Sequence, residues 1–243
     1  MEIKIYKNYE EMSRAATRIL AVQMLKKPDS VLGLATGSTP KLTYKRLIRL
    51  YDEGLISFKK IKTFNLDEYI KIDPKNPGSY RAFMENKLFN KVDIDEKHWF
   101  IPDGNAEDIE KECLLYDKKI KDMGGLDIQL LGIGTNGHIG FNEPGTSFST
   151  RTHVVELKEN TIKDNSRFFN KIEEVPSQAI TLGIRSIMEA KKILLIANGA
   201  NKARAIKGTL EGPITTDLPA SVLQLHPNIV VLLDEDAARE LGR

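Results

Sequence analysis

The chain has 243 residues, of which 36 are Lys or Arg and 34 are Asp or Glu, so its formal net charge is +2. A charge this close to zero predicts neither a nucleic-acid partner nor an acidic tail. With 41% hydrophobic and 29% charged residues, the composition is typical of a globular protein and excludes a disordered or fibrous chain. The longest apolar runs, such as 193–197, fall far short of the roughly 18 residues of a membrane span, so no membrane partner is expected.

The start of the chain and its cysteine content predict a cytoplasmic protein. Met1 to Ile5 already show strand-like alternation, and no apolar signal segment precedes them. Cys113 is the only cysteine, so neither an intramolecular disulfide nor a cysteine-based zinc site can form. Its spacing from Tyr116 and Ile120 places it on the apolar face of a helix, where we expect a buried core residue and not a reactive thiol.

Short apolar segments typical of buried strands recur along the chain, with helical patterns between them. Several are nearly continuous, which indicates strands covered on both faces in a mostly parallel sheet. We therefore expect an α/β fold with an open, mostly parallel, doubly wound (Rossmann-like) sheet and helices on both faces. No linker or repeat divides the chain, so one domain is expected over residues 1–243. The candidate strands are 30–35, 61–65, 99–101, 128–131, 152–156, 192–197 and 228–233.

Two helix starts carry capping signals. Asn8, followed three residues later by Glu11, predicts a capping box at the first helix. Asn105 precedes the helix that contains Cys113 and is the corresponding cap candidate there. Between the periodic segments, residues 66–78 and 132–151 are predicted to be long loops. Both follow predicted strands, and open α/β sheets bind ligands at the carboxyl ends of their strands.

Residues 33–40 predict an anion site where a strand turns into a helix. Gly37 permits a tight turn, Thr39 is a candidate N-cap, and Pro40 suits the first helical position. Backbone N–H groups and hydroxyls would then meet at the positive end of a helix, where a phosphate fits. The segment is neither a Walker A loop nor the dinucleotide fingerprint. A well-capped turn without a ligand explains it equally well on local grounds.

Two adjacent carboxylates, Asp67 and Glu68, follow the strand 61–65. Neighbouring residues on a strand point to opposite faces, so the two carboxylates are expected to have different roles. A carboxylate at the edge of a partly apolar pocket could take a proton from carbon. A carboxylate that merely caps a turn is the competing interpretation.

The segment 131–145 is the densest candidate for chemistry. Its five glycines predict a loop that needs positive φ angles or a close approach to a ligand. Asn136, His138 and Glu143 are its polar groups, and a histidine near a carboxylate is the usual composition of a general acid/base. The other three histidines show no ligand spacing with this pair, so no metal site is expected.

Two basic residues could neutralise a phosphate. Arg167 lies within a polar and aromatic stretch, and Lys202 follows another predicted turn from strand to helix. Taken locally, both are indistinguishable from solvated surface charges.

Three motifs together closely resemble the glucosamine-6-phosphate deaminases, within the glucosamine/galactosamine-6-phosphate isomerase family. They are 35–40, 64–69 and 132–144, which read ATGSTP, FNLDEY and GIGTNGHIGFNEP. Further matches in the same order span nearly the whole chain. They are 149–151, 181–184, 201–203 and 223–227.

This resemblance implies that glucosamine 6-phosphate and water are converted to fructose 6-phosphate and ammonia, without a metal or organic cofactor. Asp67 would move the proton between C2 and C1 of the opened sugar. His138 would exchange a proton with the ring oxygen, supported by Glu143 and Asn136. The phosphate would be held by Thr36, Gly37, Ser38, Thr39, Arg167 and Lys202.

The chain departs from the family pattern at Asn136, where many members have Asp. Asn cannot ionise, so it can orient His138 through a hydrogen bond but cannot stabilise an imidazolium by its charge. Larger members that form allosteric hexamers carry an additional C-terminal segment, whereas this sequence ends at Arg243. We therefore expect a monomer or small homo-oligomer without an allosteric site.

Two alternatives remain at this stage. A 6-phosphogluconolactonase shares the fold and a glycine-rich loop with histidine, but it hydrolyses an ester and deprotonates no carbon acid; residues 64–69 and 141–144 favour the deaminase. A sugar-phosphate-binding regulator would keep the pocket without catalysis, but no helix-turn-helix module accompanies it here.

Overall fold

The computed structural model of the chain describes residues 1–158, 162, 166, 169, 171 and 174–242. Its strands are β1 (Glu2–Tyr6), β2 (Val31–Leu34), β3 (Lys62–Asn65), β4 (Asp67–Tyr69), β5 (Trp99–Phe100), β6 (Ile128–Leu131), β7 (His153–Glu156), β8 (Gln178–Thr181), β9 (Ile193–Ala197) and β10 (Ile229–Asp234). In this described part, seven strands form one sheet in the order β1-β10-β9-β6-β2-β3-β5, and all its pairings are parallel. The expected α/β fold class is confirmed.

The order of strands changes direction between β2 and β6. Towards one edge β2 is followed by β3 and β5, whereas towards the other edge β6 is followed by β9 and β10. At such a switch point the connections leave on different sides, which opens a crevice at the carboxyl ends of the two central strands. The residues that follow Leu34 and Leu131 are thereby placed at one crevice.

Helices cover both faces of this sheet. They are α1 (Tyr9–Lys26), α2 (Lys41–Asp52), α3 (Tyr80–Lys87), α4 (Ile109–Asp122), α5 (Ile184–Met188), α6 (Ala203–Glu211) and α7 (Glu235–Ala238). Successive residues of β2 face different cores, as strand geometry requires. Leu32 packs with Met12 and Leu47 of α1 and α2, whereas Val31 packs with Tyr116 of α4. Among the described residues, no helix is long and apolar enough to cross a membrane.

A second, antiparallel sheet has the strand order β4-β8-β7. The prediction that 66–78 is entirely loop is wrong at residues 67–69, which form β4. Two of its three residues are acidic and disfavour strands, so only the distant partner β8 makes this a strand. Cys113 packs with Ile70 and Ile180 beside this sheet and is 1% exposed, which confirms it as a core residue.

The two predicted helix caps had different outcomes. The Asn8 side chain accepts a hydrogen bond from the Glu11 N–H at 3.0 Å, which confirms it as the N-cap of α1. Asn105 does not cap α4, because its side-chain amide donates to the Ile72 carbonyl at 2.8 Å. Asp108, which directly precedes the first helical residue, caps α4 instead.

Candidate active site

A cleft lies at the switch point between β2 and β6. Its walls include residues 35–40 after β2, Asp67 at the start of β4, residues 132–135 and His138 after β6, and Lys202 after β9. Segments that are up to 167 positions apart in the chain thus meet because parallel strands end at the same edge of the sheet.

One wall is a turn that we call the cradle, residues 36–39. Gly37 has φ of 103°, a conformation that favours glycine. The backbone before the turn is fixed by the Tyr44 hydroxyl, which donates to the Ala35 carbonyl at 2.6 Å. The predicted N-cap role of Thr39 is wrong, because its hydroxyl donates to Asn198 Oδ1 at 2.8 Å. The helix starts after Pro40, one residue later than expected, and has no side-chain cap.

Lys202 lies on the same cleft as the cradle. It ends the 3-10 turn Ala200–Lys202, which follows Gly199 at φ of 87°. The Gly199 N–H donates to the buried Asp234 carboxylate at 3.0 Å, so the turn is anchored to the end of β10. Arg167, the other predicted phosphate ligand, lies outside the described residues.

Asp67 supplies a buried carboxylate to the cleft. The residue is 6% exposed, and no hydrogen bond reaches its carboxylate from the residues that the structure describes. Burial raises the pKa of Asp67 to about 8, and the nearby Glu68 carboxylate contributes to the rise. Gly140 leaves room beside it, because a Cβ there would lie 3.6 Å from Asp67 Oδ2 and 2.8 Å from Thr181 Oγ1. A carboxyl in this setting exchanges protons near neutral pH.

Glu68 has a different role, as the alternation of the strand predicted. Its carboxylate accepts backbone hydrogen bonds from Tyr69 at 2.9 Å, Tyr80 at 3.0 Å and Arg81 at 2.8 Å. Tyr80 and Arg81 belong to the first turn of α3, so Glu68 is the carboxylate that caps a turn, which was the competing interpretation of this pair. Burial raises the pKa of Glu68, although these backbone hydrogen bonds act in the opposite direction. Glu68 therefore fixes α3, from which Tyr80 reaches the cleft.

The glycine-rich segment after β6 is a loop, as predicted. Gly137, Gly140 and Gly145 have φ angles of 83°, 58° and 98°, which confirms the need for glycine conformations. At Gly134 the His138 ring lies against the backbone, because a Cβ there would be 2.3 Å from atoms of the ring. The Gly134 N–H also donates to the His138 carbonyl at 2.9 Å, which closes the loop on itself.

Asn136, His138 and Glu143 meet in this loop. The Asn136 amide donates to Glu143 Oε2 at 2.7 Å, and His138 Nδ1 lies 3.8 Å from Glu143 Oε1. Asn136 Oδ1 accepts from the backbone N–H of His138 at 3.2 Å. Asn136 thus orients the histidine through its backbone N–H and through Glu143. The 4% exposed Glu143 carboxylate can pair with the imidazole when the ring is protonated.

Sequence reasoning missed Tyr80 and Phe141, two aromatic residues of the cleft. Their rings stack with centroids 5.9 Å apart. Ser79 caps α3 by accepting from the Ala82 N–H at 2.9 Å, and a serine after a proline and glycine was the available signal for this helix. Across the described ranges, no group of three or more metal-ligating side chains is present.

The fold and the cleft together define a doubly wound α/β protein whose strand-end cleft joins a turn at the start of a helix to a buried carboxyl and a histidine. The family model of the glucosamine-6-phosphate isomerases and 6-phosphogluconolactonases matches residues 8–231. The chain belongs to this family.

Relatives of about half identity cover almost the whole chain. A protein of Clostridium perfringens (strain 13 / Type A), named glucosamine-6-phosphate deaminase, is 51% identical over 241 residues, which are 99% of this chain and 100% of the relative. One of the same name from Thermoanaerobacter pseudethanolicus is 54% identical over 238 residues, covering 98% of this chain and 94% of the relative.

Solved structures show the same fold. A monomeric glucosamine-6-phosphate deaminase superposes with a TM-score of 0.97 at 49% identity and covers 99% of this chain and 100% of its own. A 6-phosphogluconolactonase from Trypanosoma brucei has a TM-score of 0.77 at 23% identity, with 99% and 98% covered, and is similar in fold alone.

Proposed function

We propose that this chain is a glucosamine-6-phosphate deaminase, which converts D-glucosamine 6-phosphate and water to D-fructose 6-phosphate and ammonia in amino-sugar catabolism, including N-acetylglucosamine degradation. The observation that carries the proposal is one cleft in which the buried Asp67 carboxylate faces the same space as the cradle. The two relatives of about half identity that bear this name support it.

In the proposed reaction the phosphate is the anchor. Backbone N–H groups at the start of α2 and the hydroxyls of Thr36 and Ser38 face the phosphate, and Lys202 adds a positive charge. The backbone groups come from Thr36, Gly37, Ser38 and Thr39. Arg167 completes the proposed set. Binding of this remote dianion fixes C1 and C2 of the sugar against the acid–base side, and such positioning contributes up to roughly 7–11 kcal/mol in favourable cases.

His138 is proposed to open the sugar ring. It would take the proton of the C1 hydroxyl and deliver it to the ring oxygen, so that the C1–O5 bond breaks and C1 becomes an aldehyde. Glu143 supports the imidazolium that forms on the way, and Asn136 holds both residues in place.

Asp67 is proposed to act next, as a carboxylate. It removes the proton from C2, and the electron pair forms the C1=C2 double bond. The C1 oxygen takes a proton from the ammonium group on C2, which gives a neutral enolamine. Asp67 then delivers its proton to C1 while the nitrogen lone pair forms the C2=N bond, which leaves a protonated imine at C2. Water adds to that imine and ammonia leaves, so the product is the 2-ketose phosphate and the atoms balance.

An ammonia-release assay on glucosamine 6-phosphate tests this function. We expect turnover by the unmodified chain, with exchange of the C2 hydrogen for solvent deuterium detected by proton NMR. Acid production from 6-phosphogluconolactone without ammonia release would identify a lactonase instead. Tight binding of the sugar phosphate with no turnover of either compound would identify a regulator.

The remaining features of the proposal concern assembly and location. We propose a monomer, because the relative with a TM-score of 0.97 is described as monomeric. A small homo-oligomer is the alternative, and light scattering distinguishes the two. The single domain over 1–243, the cytoplasmic location, the lack of a cofactor and the lack of a nucleic-acid partner stay predictions.

A further inference from the structure

The Tyr9 hydroxyl contacts the backbone of the cradle from outside the cleft. Tyr9 is the first residue of α1, about 30 positions before the cradle. Its hydroxyl donates to the Thr39 carbonyl at 2.9 Å and lies 3.1 Å from the Ser38 carbonyl, while the Leu42 N–H donates to it at 3.2 Å. One hydroxyl can make all three contacts. Its proton is shared between the two carbonyl oxygens, and a lone pair of its oxygen accepts the N–H.

This contact replaces the missing cap of α2. The first N–H groups of a helix have no partner within the helix. The residue before α2 is Pro40, which makes no side-chain capping bond, and the Thr39 hydroxyl is engaged with Asn198. Tyr9 therefore joins the start of α2 to the two carbonyls that precede it.

The contact also determines where an amide of the cradle points. In a trans peptide the C=O and the following N–H point in opposite directions. Because the Ser38 carbonyl is held towards Tyr9, the Thr39 N–H is turned away from α1. Ser38 and Thr39 line the cleft, whereas Tyr9 does not. The Thr39 N–H, turned away from Tyr9, therefore points towards the side of the cradle that a phosphate would occupy.

Tyr9 itself is well fixed. The preceding Asn8 caps α1, and the half-buried Tyr9 ring packs against the apolar core formed with α2. A group that is ordered when the protein folds does not need to be ordered again when the ligand binds, so a preset backbone binds its anion more tightly.

We propose that Tyr9 is a positioning residue for the cradle: its hydroxyl presets the backbone of residues 38–42 for a phosphate dianion. This inference rests on the proposed function for the identity of the sugar phosphate, but the anion site can be tested without turnover.

The test compares Tyr9→Phe with the unmodified chain. Removal of the hydroxyl is expected to raise the KM for glucosamine 6-phosphate and the inhibition constant of inorganic phosphate by the same factor, about fivefold. The kcat should stay within about twofold, because no reacting atom is touched. Tyr51→Phe on α2 is the matched control, because it removes a hydroxyl for which the structure describes no hydrogen bond, and both constants should stay unchanged.

Calorimetric titration with inorganic phosphate separates this inference from the proposed function. If the unmodified chain binds phosphate but releases no ammonia, the proposed function fails while the Tyr9 comparison remains valid. If Tyr9→Phe lowers the melting temperature but binds phosphate and substrate like the unmodified chain, Tyr9 is only structural and the inference is overturned. A drop in kcat without a change in phosphate binding would also overturn it.

Discussion

The two sides of the cleft are built differently. The cradle is one short local unit, the turn between β2 and α2, and the polar groups that it offers are mainly those of the backbone. The acid–base side joins Asp67 of the antiparallel sheet to His138 and Glu143 of the loop after β6. In the proposed function, binding and chemistry are therefore assigned to separate residues, because the cradle shares no residue with the acid–base side.

The two sides also differ in electrostatics. The cradle lies at the positive end of α2 and beside Lys202, whereas the opposite side holds the buried carboxylates of Asp67 and Glu143. A dianion is attracted to the first side and not to the second, so the charge pattern orients a sugar phosphate along the cleft. Variants on the cradle side should therefore change KM, and variants on the acid–base side should change kcat.

The largest effect is expected from Asp67→Asn. The amide keeps the shape but cannot accept the C2 proton, so kcat should fall at least about 10³-fold while KM stays within about threefold. Ammonia release and C2 exchange measure both constants. Asp52→Asn, at the exposed end of α2, is the control and should behave like the unmodified chain. A kcat that falls less than tenfold would remove Asp67 from the chemistry.

The next effect is the pH dependence of kcat/KM. Burial raises the pKa of Asp67 to about 8, and the base works as the carboxylate, so activity should rise with pH up to that value. Between pH 8 and pH 6 the carboxylate fraction of such a group falls about 50-fold, and kcat/KM should fall in proportion. A profile that is flat from pH 6 to pH 8 would contradict the buried base.

The same carboxyl predicts how stability depends on pH. Its pKa in the folded protein is about 8 and the ordinary value of an aspartate is 3.8, so between these values the folded protein binds a proton that the unfolded chain has released. The free energy of unfolding should therefore fall as pH rises through this window, by up to about 1.4 kcal/mol per pH unit from this group. Urea unfolding of Asp67→Asn should show a shallower fall.

On the cradle side, Lys202→Met should raise KM by about 30-fold with kcat nearly unchanged. A charge-assisted hydrogen bond to a phosphate contributes roughly 1.5–3 kcal/mol, and the methionine keeps most of the side-chain volume. Steady-state ammonia release measures both constants. Lys207→Met, exposed on α6, serves as the control. If kcat falls and KM does not, the separation between the two sides is wrong.

The sequence predicted more of the cradle than of the acid–base side, and the reason is the distance between interacting residues. The strand, the glycine turn and the helix of the cradle are contiguous, so local patterns located them. The predicted Thr39 cap failed because Asn198, which holds the Thr39 hydroxyl, is 159 positions away. The parallel sheet was likewise predicted from local apolar runs, whereas β4 depends on pairing with the distant β8.

On the acid–base side, local patterns identified the residues but not their contacts. Strand alternation correctly separated Asp67 from Glu68, but nothing local showed that Glu68 caps α3. The glycine density indicated the loop around His138. The hydrogen bond from Asn136 to Glu143 depends on the path of that loop, which positive φ angles and close contacts determine only in three dimensions.

Gly134→Ala should have a smaller effect than Asp67→Asn or Lys202→Met, and it tests the acid–base side without altering any of its polar groups. An added Cβ would lie 2.3 Å from the His138 ring, so the ring must shift from Glu143, and kcat should fall about tenfold with KM little changed. Gly242→Ala, with neighbours no closer than 3.7 Å, is the control.

The mechanism of the Gly134 effect can be isolated by combining it with His138→Gln. If the added methyl group acts only by displacing the imidazole, Gly134→Ala should lower activity little further in a chain that already carries His138→Gln. The two effects will then not add. Full additivity would mean that Gly134 acts through the loop backbone. Glycine would then be needed for the backbone conformation of the loop and not for room beside the His138 ring. The acid–base side would in that case depend on its loop conformation as strongly as the cradle depends on its turn.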